Sequence, residues 1–171
     1  MIRIVLLGDT QSGKTTLFDS LLYNESHDSY CTTITPNYGQ YREKYILYDT
    51  PADDRWIAFA TPYIEVSDAA IIIYDGKAER SVEKWKKILH KTNRKQIPIL
   101  IVVNTKSNWK EQPDVLSLNF KTCDNIHDKL HPFLSSLTSD PKISIGWVEY
   151  VYLLFPTVED VVDHIPGCLQ Q

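Results

Sequence analysis

Cysteine is scarce. Cys31, Cys123 and Cys168 are the only three in 171 residues, an odd number at no metal-like spacing. That argues against a disulfide framework or a zinc site and agrees with a reducing, cytoplasmic setting. Long apolar runs are missing too. The longest, Ile97 to Val103, falls far short of the roughly 20 residues needed to cross a bilayer. There is no basic excess: 18 Lys and Arg stand against 22 Asp and Glu, giving a net charge of −4 and a pI near 5.7. No nucleic-acid partner and no general affinity for anionic membrane are expected from that balance. Neither repeats nor low-complexity tracts occur, and residues 1–7 show no basic segment ahead of an apolar one, so no signal peptide is expected. What remains is an ordinary globular composition, 43% hydrophobic and 23% charged. The length suits one domain, residues 1–171, with a full core.

Short β-branched runs alternate with helical patterns. Ile2 to Leu7 reads as a buried strand and Thr15 to Tyr23 as the helix after it. Residues 38–48 read as a hairpin turning near Arg42, Glu43 and Lys44. Ala69 to Tyr74 ("AAIIIY") and Ile97 to Val103 ("IPILIVV") have the length and branching of buried strands. Between them Val82, Trp85, Ile88 and Leu89 share one helical face. Residues 107–123 are the least regular part and read as a long loop. Trp147 to Phe155 reads as a last strand. A short helix follows, with Thr157 and Asp160 forming a capping box and Val158, Val161, Val162 and Ile165 facing inward. Strands alternating with crossover helices imply an α/β fold: three layers, with a mostly parallel central sheet flanked by helices.

Gly8 to Thr15, "GDTQSGKT", carries G-x-x-x-x-G-K-[ST] between a strand and a helix. Glycines let the backbone wrap an anion and aim its N–H groups inward. The helix that follows adds its positive end. On this reading the P-loop residues Asp9, Thr10, Gln11, Ser12, Gly13, Lys14, Thr15 and Thr16 surround the phosphates. Lys14 contacts the terminal phosphates and the Thr15 hydroxyl holds Mg²⁺.

A phosphate loop alone fits kinases, ATPases and GTPases alike. Later segments narrow the choice. "GDTQSGKT" is similar to the Rab loop GDSGVGKS, "YDTPADDRW" to WDTAGQERF, and "DAAIIIYDGKAERSVEKW" to the strand and helix that follow in the same family. The chain resembles the small GTPases of the Ras superfamily, the Rab branch above all, well over residues 1–106 and loosely beyond. The resemblance implies a small G-domain that binds GTP or GDP with Mg²⁺. It makes Thr33, 19 positions after Lys14, the threonine that senses the γ-phosphate through the metal, with Tyr30 three positions earlier. Asp49 becomes the carboxylate on the metal's water. Residues 26–38 and 50–66 become two mobile switches, and residues 26–66 the surface for protein effectors or regulators. The hairpin between the switches is shorter than is usual in that family, so known effectors do not carry over.

Several positions depart from the family pattern. Where the second switch has D-T-A-G-Q, this chain has Asp49-Thr50-Pro51-Ala52-Asp53. The glycine that offers its N–H to the γ-phosphate is Ala52, stiffened by Pro51. The glutamine that orients the attacking water is Asp53. A carboxylate about 4 Å from a phosphate charge is opposed by about 4 kcal/mol at an effective dielectric of 20. Asp53 is therefore expected to swing away and hydrolysis to be slow or negligible, the rival reading being Asp53 as a general base. Gln11 replaces a loop glycine. For base recognition the family uses N/T-K-x-D, and this chain offers "NTKSN". One register starts at Asn104 and loses both later residues. The other reads Thr105, Lys106 and Asn108, keeps the lysine stem and is preferred. Glu149 alone survives from the family's E-T-S-A-K.

The chain closes "CLQQ", which resembles a prenylation signal. Gln170 stands where an aliphatic residue is usual and no polybasic stretch supports it. An exposed tail is preferred, and membrane attachment is expected only if Cys168 is lipidated. The five histidines do not cluster; His127 and His131 are read as a solvated helix face. Two alternatives stand beside the switch reading: a pseudo-GTPase without turnover, and a P-loop phosphotransferase. The latter needs an arginine-bearing lid, and Arg3, Arg42, Arg55, Arg80 and Arg94 are scattered.

An amide at Asn108 offers one acceptor and one donor and cannot satisfy both guanine donors with charge-assisted bonds. Losing one such bond costs about 1.5–3 kcal/mol, so guanine affinity is expected to weaken and xanthine to be tolerated. Competition of xanthine and adenine nucleotides against GDP measures this. Nanomolar GDP binding with strong rejection of the others is the opposing outcome.

Overall fold

A computed structural model describes residues 1–25, 32–76, 79–105, 115–120 and 125–137. Contacts divide the chain into Met1–Ser139 and Asp140–Gln171. The second unit, with the expected strand over Trp147 to Phe155, the Thr157 helix, Glu149 and Cys168, lies outside the described residues.

Among the described residues Met1–Ser139 contains six strands and four helices: β1 (Ile2–Leu7), α1 (Lys14–Tyr23), β2 (Asn37–Tyr41), β3 (Tyr45–Asp49), α2 (Ile57–Val66), β4 (Ala69–Tyr74), α3 (Glu79–Thr92), β5 (Ile99–Asn104), β6 (Val115–Leu118) and α4 (Ile126–Ser136). The sheet runs β2-β3-β1-β4-β5-β6. Every pairing is parallel except β2 with β3, the hairpin that turns through Arg42 and Glu43 at positive φ.

β1 and β4 sit at the centre and are buried along their whole length. A strand covered on both faces must be apolar throughout, and "IRIVLL" and "AAIIIY" meet that demand except at Arg3. On one face Ile4, Leu6, Ile71 and Ile73 pack with Leu17, Phe18 and Leu21 of α1 and with Ile126, Leu130 and Leu134 of α4. α2 and α3 lean on each other, on β1 and on β4. Val82, Trp85 and Leu89 of α3 are buried as their spacing requires, and Ile88 is half-buried.

Three expectations change. β5 starts at Ile99, because Pro98 has no N–H to donate; its carbonyl still accepts from Ala70 N at 3.0 Å. The loop expected over 107–123 contains β6, whose four residues extend the sheet beside β5 and carry Leu118 into the core; Phe120, just past the strand, joins it there. So short a segment has no periodicity to read; its partner strand defines it. His127 is not on a solvated face: its ring stacks on Tyr41 with centroids 5.7 Å apart, and Nδ1 lies 2.8 Å from the Tyr41 hydroxyl. That contact ties the hairpin to α4, which continues through Pro132.

Arg3 is the one cation inside β1. Its guanidinium forks onto Asp68 with two bonds of 2.9 Å, and its backbone N–H donates to the same carboxylate at 3.0 Å. The pair locks β1 to the start of β4. Burial pushes the Asp68 carboxyl up, but the Arg3 hydrogen bonds outweigh it and hold it below the ordinary carboxylate range. Asp68→Asn is therefore expected to cost about 3 kcal/mol at neutral pH, because it strands a buried guanidinium. The gap between wild type and variant is full above the unfolded-state pKa near 4 and closes as pH falls through the lower native value. Urea unfolding of both proteins at pH 7 and near pH 3 measures it.

Candidate functional site

The turn from β1 into α1 requires glycine twice. Gly8 has φ +149°, and a Cβ there would run into the Ile73 carbonyl. Gly13 has φ +103°, and a Cβ would stand 2.6 Å from the Phe120 ring and 2.8 Å from the Asn104 amide. The loop is thus pressed between β4 and the segment after β6. Gln11 occupies a left-handed conformation, φ +63°, with its side chain exposed. The Rab loop has glycine there; holding a side chain in that region costs about 1 kcal/mol.

Lys14 is buried, and its ammonium donates to the Gly8 and Asp9 carbonyls at 3.0 Å each. Burial lowers its pKa to about 8, with Asp49 and Asp9 pulling the other way. Below Lys14 three oxygen-bearing side chains converge. Thr15 Oγ1 donates to Asp49 Oδ2 at 2.8 Å and lies 3.0 Å from Thr33 Oγ1, while Thr33 Oγ1 is 3.4 Å from Asp49 Oδ2. Asp49 Oδ1 is fully buried with no hydrogen-bond partner among the described residues. Burial pushes the Asp49 carboxyl above its usual range despite Thr15 and Lys14. A buried carboxylate with one idle oxygen, beside two hydroxyls, is a hard oxygen donor set that suits a Mg²⁺ ion sharing phosphate oxygens.

β3 ends at Asp49, and the chain turns inward after it. Thr50 Oγ1 donates to the Leu6 carbonyl at 2.7 Å, and Pro51 and Ala52 are buried. Asp53, half-buried, follows and is bonded to Arg55. Its carboxylate takes a fork from Arg55, 2.6 Å from Nη2 and 2.9 Å from Nε, plus the Arg55 backbone N–H at 3.0 Å. Those bonds lower the carboxyl to about 2. α2 fills the second half of residues 50–66, an element its sequence pattern did not announce.

Asn104, at the end of β5, donates from Nδ2 to the Ser12 carbonyl at 3.2 Å. It therefore buttresses the phosphate loop. Thr105, first in the preferred register, turns its hydroxyl toward the Leu118 carbonyl, 3.3 Å away. Lys106, Asn108 and Tyr30 lie outside the described residues. Sequence reasoning also missed how the loop is held from α3. Asp9 Oδ1 accepts from the Trp85 indole N–H at 2.9 Å and lies 3.5 Å from Lys84 Nζ. Trp85 was legible as a core residue; the polar edge of its ring was the available signal. Thr10 is exposed, Ser12 is buried with an unpartnered hydroxyl, and the Thr16 carbonyl accepts from Ser20 at 2.7 Å.

Residues 3–108 match the family described as Ras of Complex, Roc, domain of DAPkinase. The chain belongs to that family of Ras-like domains. Relatives agree. Rab-22A of Mus musculus is 28% identical over 156 residues, covering 85% of this chain and 78% of the relative. Rab-21 of Mus musculus is 32% identical over 120 residues, covering 64% of this chain and 54% of the relative. Rab-32D of Dictyostelium discoideum is 25% identical over 134 residues, covering 69% and 59%. The protein is a Rab-like member of the Ras superfamily of small GTPases, and its sheet, loop and flanking helices are those of a small G-domain. Among the described residues of this Rab-like chain, no helix is long and apolar enough to cross a membrane.

Burying a charged lysine works against folding, and Asp49 and Asp9 offset only part of that cost. A fall from 10.5 to about 8 corresponds to a cost on the order of 3 kcal/mol at neutral pH. Lys14→Met is expected to raise the melting temperature of the nucleotide-free protein, the reverse of most core truncations, while phosphate affinity collapses. Calorimetry with and without nucleotide reads both effects.

Proposed function

We propose that this Rab-like chain is a Mg²⁺-dependent guanine-nucleotide switch with slow GTP hydrolysis and weakened guanine specificity, spanning residues 1–171 as one G-domain. The convergence of Thr15, Thr33 and Asp49 beneath a buried Lys14 carries the reading. The three lie on α1, the first switch and the end of β3. A ligand drawing them together joins the switches to the loop.

In the nucleotide complex Lys14 exchanges its two carbonyl partners for phosphate oxygens. Loop N–H groups from Asp9 to Thr16 and the α1 N-terminus take the remaining charge. Mg²⁺, when bound, neutralises the terminal phosphates. Thr15 and Asp49 hold its position, and Thr33 registers whether a third phosphate is present. Ala52 offers its N–H on the other side. Lys106 covers the base and Asn108 reads it, with Thr105 beside them. Effectors and regulators engage residues 26–66, and location is cytoplasmic unless Cys168 is lipidated.

Slow hydrolysis rests on Asp53. Its carboxylate is engaged by Arg55 and offers no amide to orient water, in a family whose intrinsic turnover is already about 10⁻⁴ s⁻¹. The same observation favours a second reading, a pseudo-GTPase that binds nucleotide and never turns it over.

A binding panel of GDP, GTP, xanthine and adenine nucleotides with Mg²⁺, beside Lys14→Ala, tests the switch. Single-turnover hydrolysis follows for wild type, Asp53→Asn and Asp53→Gln. The expected result is binding lost in Lys14→Ala, slow wild-type turnover unchanged in Asp53→Asn, and at least about tenfold faster turnover in Asp53→Gln. Binding with no turnover in any protein supports the second reading. A collapse of turnover in Asp53→Asn restores Asp53 as the base, and failure to bind any purine nucleotide ends both.

A further inference from the structure

The outer face of α3 meets the candidate site only through Lys84. On it Arg80, Lys84, Lys87 and Lys91 are all exposed. At 100° per residue they fall within about 60° of one another around the axis, along about 16 Å of helix. Arg94 continues past the helix end. Between Glu79 and Lys95 seven cations face two acids, a local excess of five positive charges. With −4 overall, the rest of the chain carries nine negative charges net. Arg80, Lys87, Lys91 and Arg94 have no ion-pair partner among the described residues, whereas Lys86 pairs with Glu83 at 3.0 Å and Lys95 approaches Asp68 at 3.6 Å. Like charges stacked on one face repel, so the row costs stability unless something answers it.

We propose that this face of α3 docks an acidic segment of a partner protein. Shape and charge select that occupant. A single-helix stripe matches a short acidic strand or helix laid along it. Duplex nucleic acid or an anionic bilayer would spread beyond the stripe and meet the acidic remainder of the molecule. A bilayer would also want apolar side chains to insert. Among the described residues the exposed large hydrophobics, Met1, Tyr23 and Tyr38, are all outside α3. One end of the stripe touches the candidate site: Lys84 Nζ lies 3.5 Å from Asp9 of the loop and 3.5 Å from Asp54 of the second switch. An acidic partner competes for that ammonium. Docking itself does not depend on the nucleotide reading.

The test uses the full chain and a fluorescein-labelled peptide of twelve glutamate and aspartate residues, read by anisotropy without nucleotide. Lys87→Glu/Lys91→Glu is compared with Lys129→Glu/Ser135→Glu/Ser136→Glu, which changes net charge equally at exposed positions of α4. The stripe variant is expected to lose about tenfold or more in affinity, and the α4 variant less than about twofold. Lys87→Gln/Lys91→Gln, melting like wild type, is expected to lose about threefold. Phosphatidylcholine vesicles containing phosphatidylserine, and a duplex DNA oligonucleotide, are expected to bind more weakly than the peptide. Equal losses in the Lys87→Glu/Lys91→Glu and α4 variants, an unaffected stripe variant, no wild-type binding, or tighter binding of vesicles or DNA each overturn the proposal.

Discussion

A lysine ammonium folded under a glycine-bordered loop is the contact on which the rest of the site depends. Lys14 takes the Gly8 and Asp9 carbonyls as partners and keeps the loop wound around a buried positive charge. An unanswered interior charge is costly, and the natural answer is an anion. The sheet serves this arrangement. β1 enters from below, α1 leaves above, and β4 stands so close that Gly8 admits no side chain. Asn104 and Trp85 brace the loop from β5 and α3, so three neighbouring elements fix one short turn.

The same geometry separates the residues that converge beside the loop from Asp53. Thr15, Thr33 and Asp49 gather around one point, and Asp49 keeps an idle oxygen there. These are binding features in a Rab-like small GTPase. Four residues past Asp49, Asp53 closes a ring with Arg55. The second switch segment thus begins with buried Thr50, Pro51 and Ala52 and continues into an exposed ion pair.

α3 shows the economy of a helix with two faces. Its inner side buries Trp85, whose ring fills the core while its N–H steadies Asp9. Its outer side carries a row of cations on an otherwise acidic protein. Lys84 sits where the two meet, within reach of both the loop and the second switch.

Sequence by itself determined the α/β class, the strand-loop-helix at Gly8 to Thr15, the hairpin turn and the inner face of α3. Each rests on local periodicity or on glycine geometry that neighbouring residues specify. The convergence of Thr33 and Asp49 on Thr15 was legible only through family resemblance, since the residues are 18 and 34 positions from Thr15. Tertiary structure decided the rest. β6 exists because β5 offers it an edge, and His127 leaves the solvent because Tyr41 is brought to it from 86 residues away. Asn104 reaches the loop because β5 lies beside β4. Partners so distant along the chain carry no local pattern; only the assembled sheet brings them into contact.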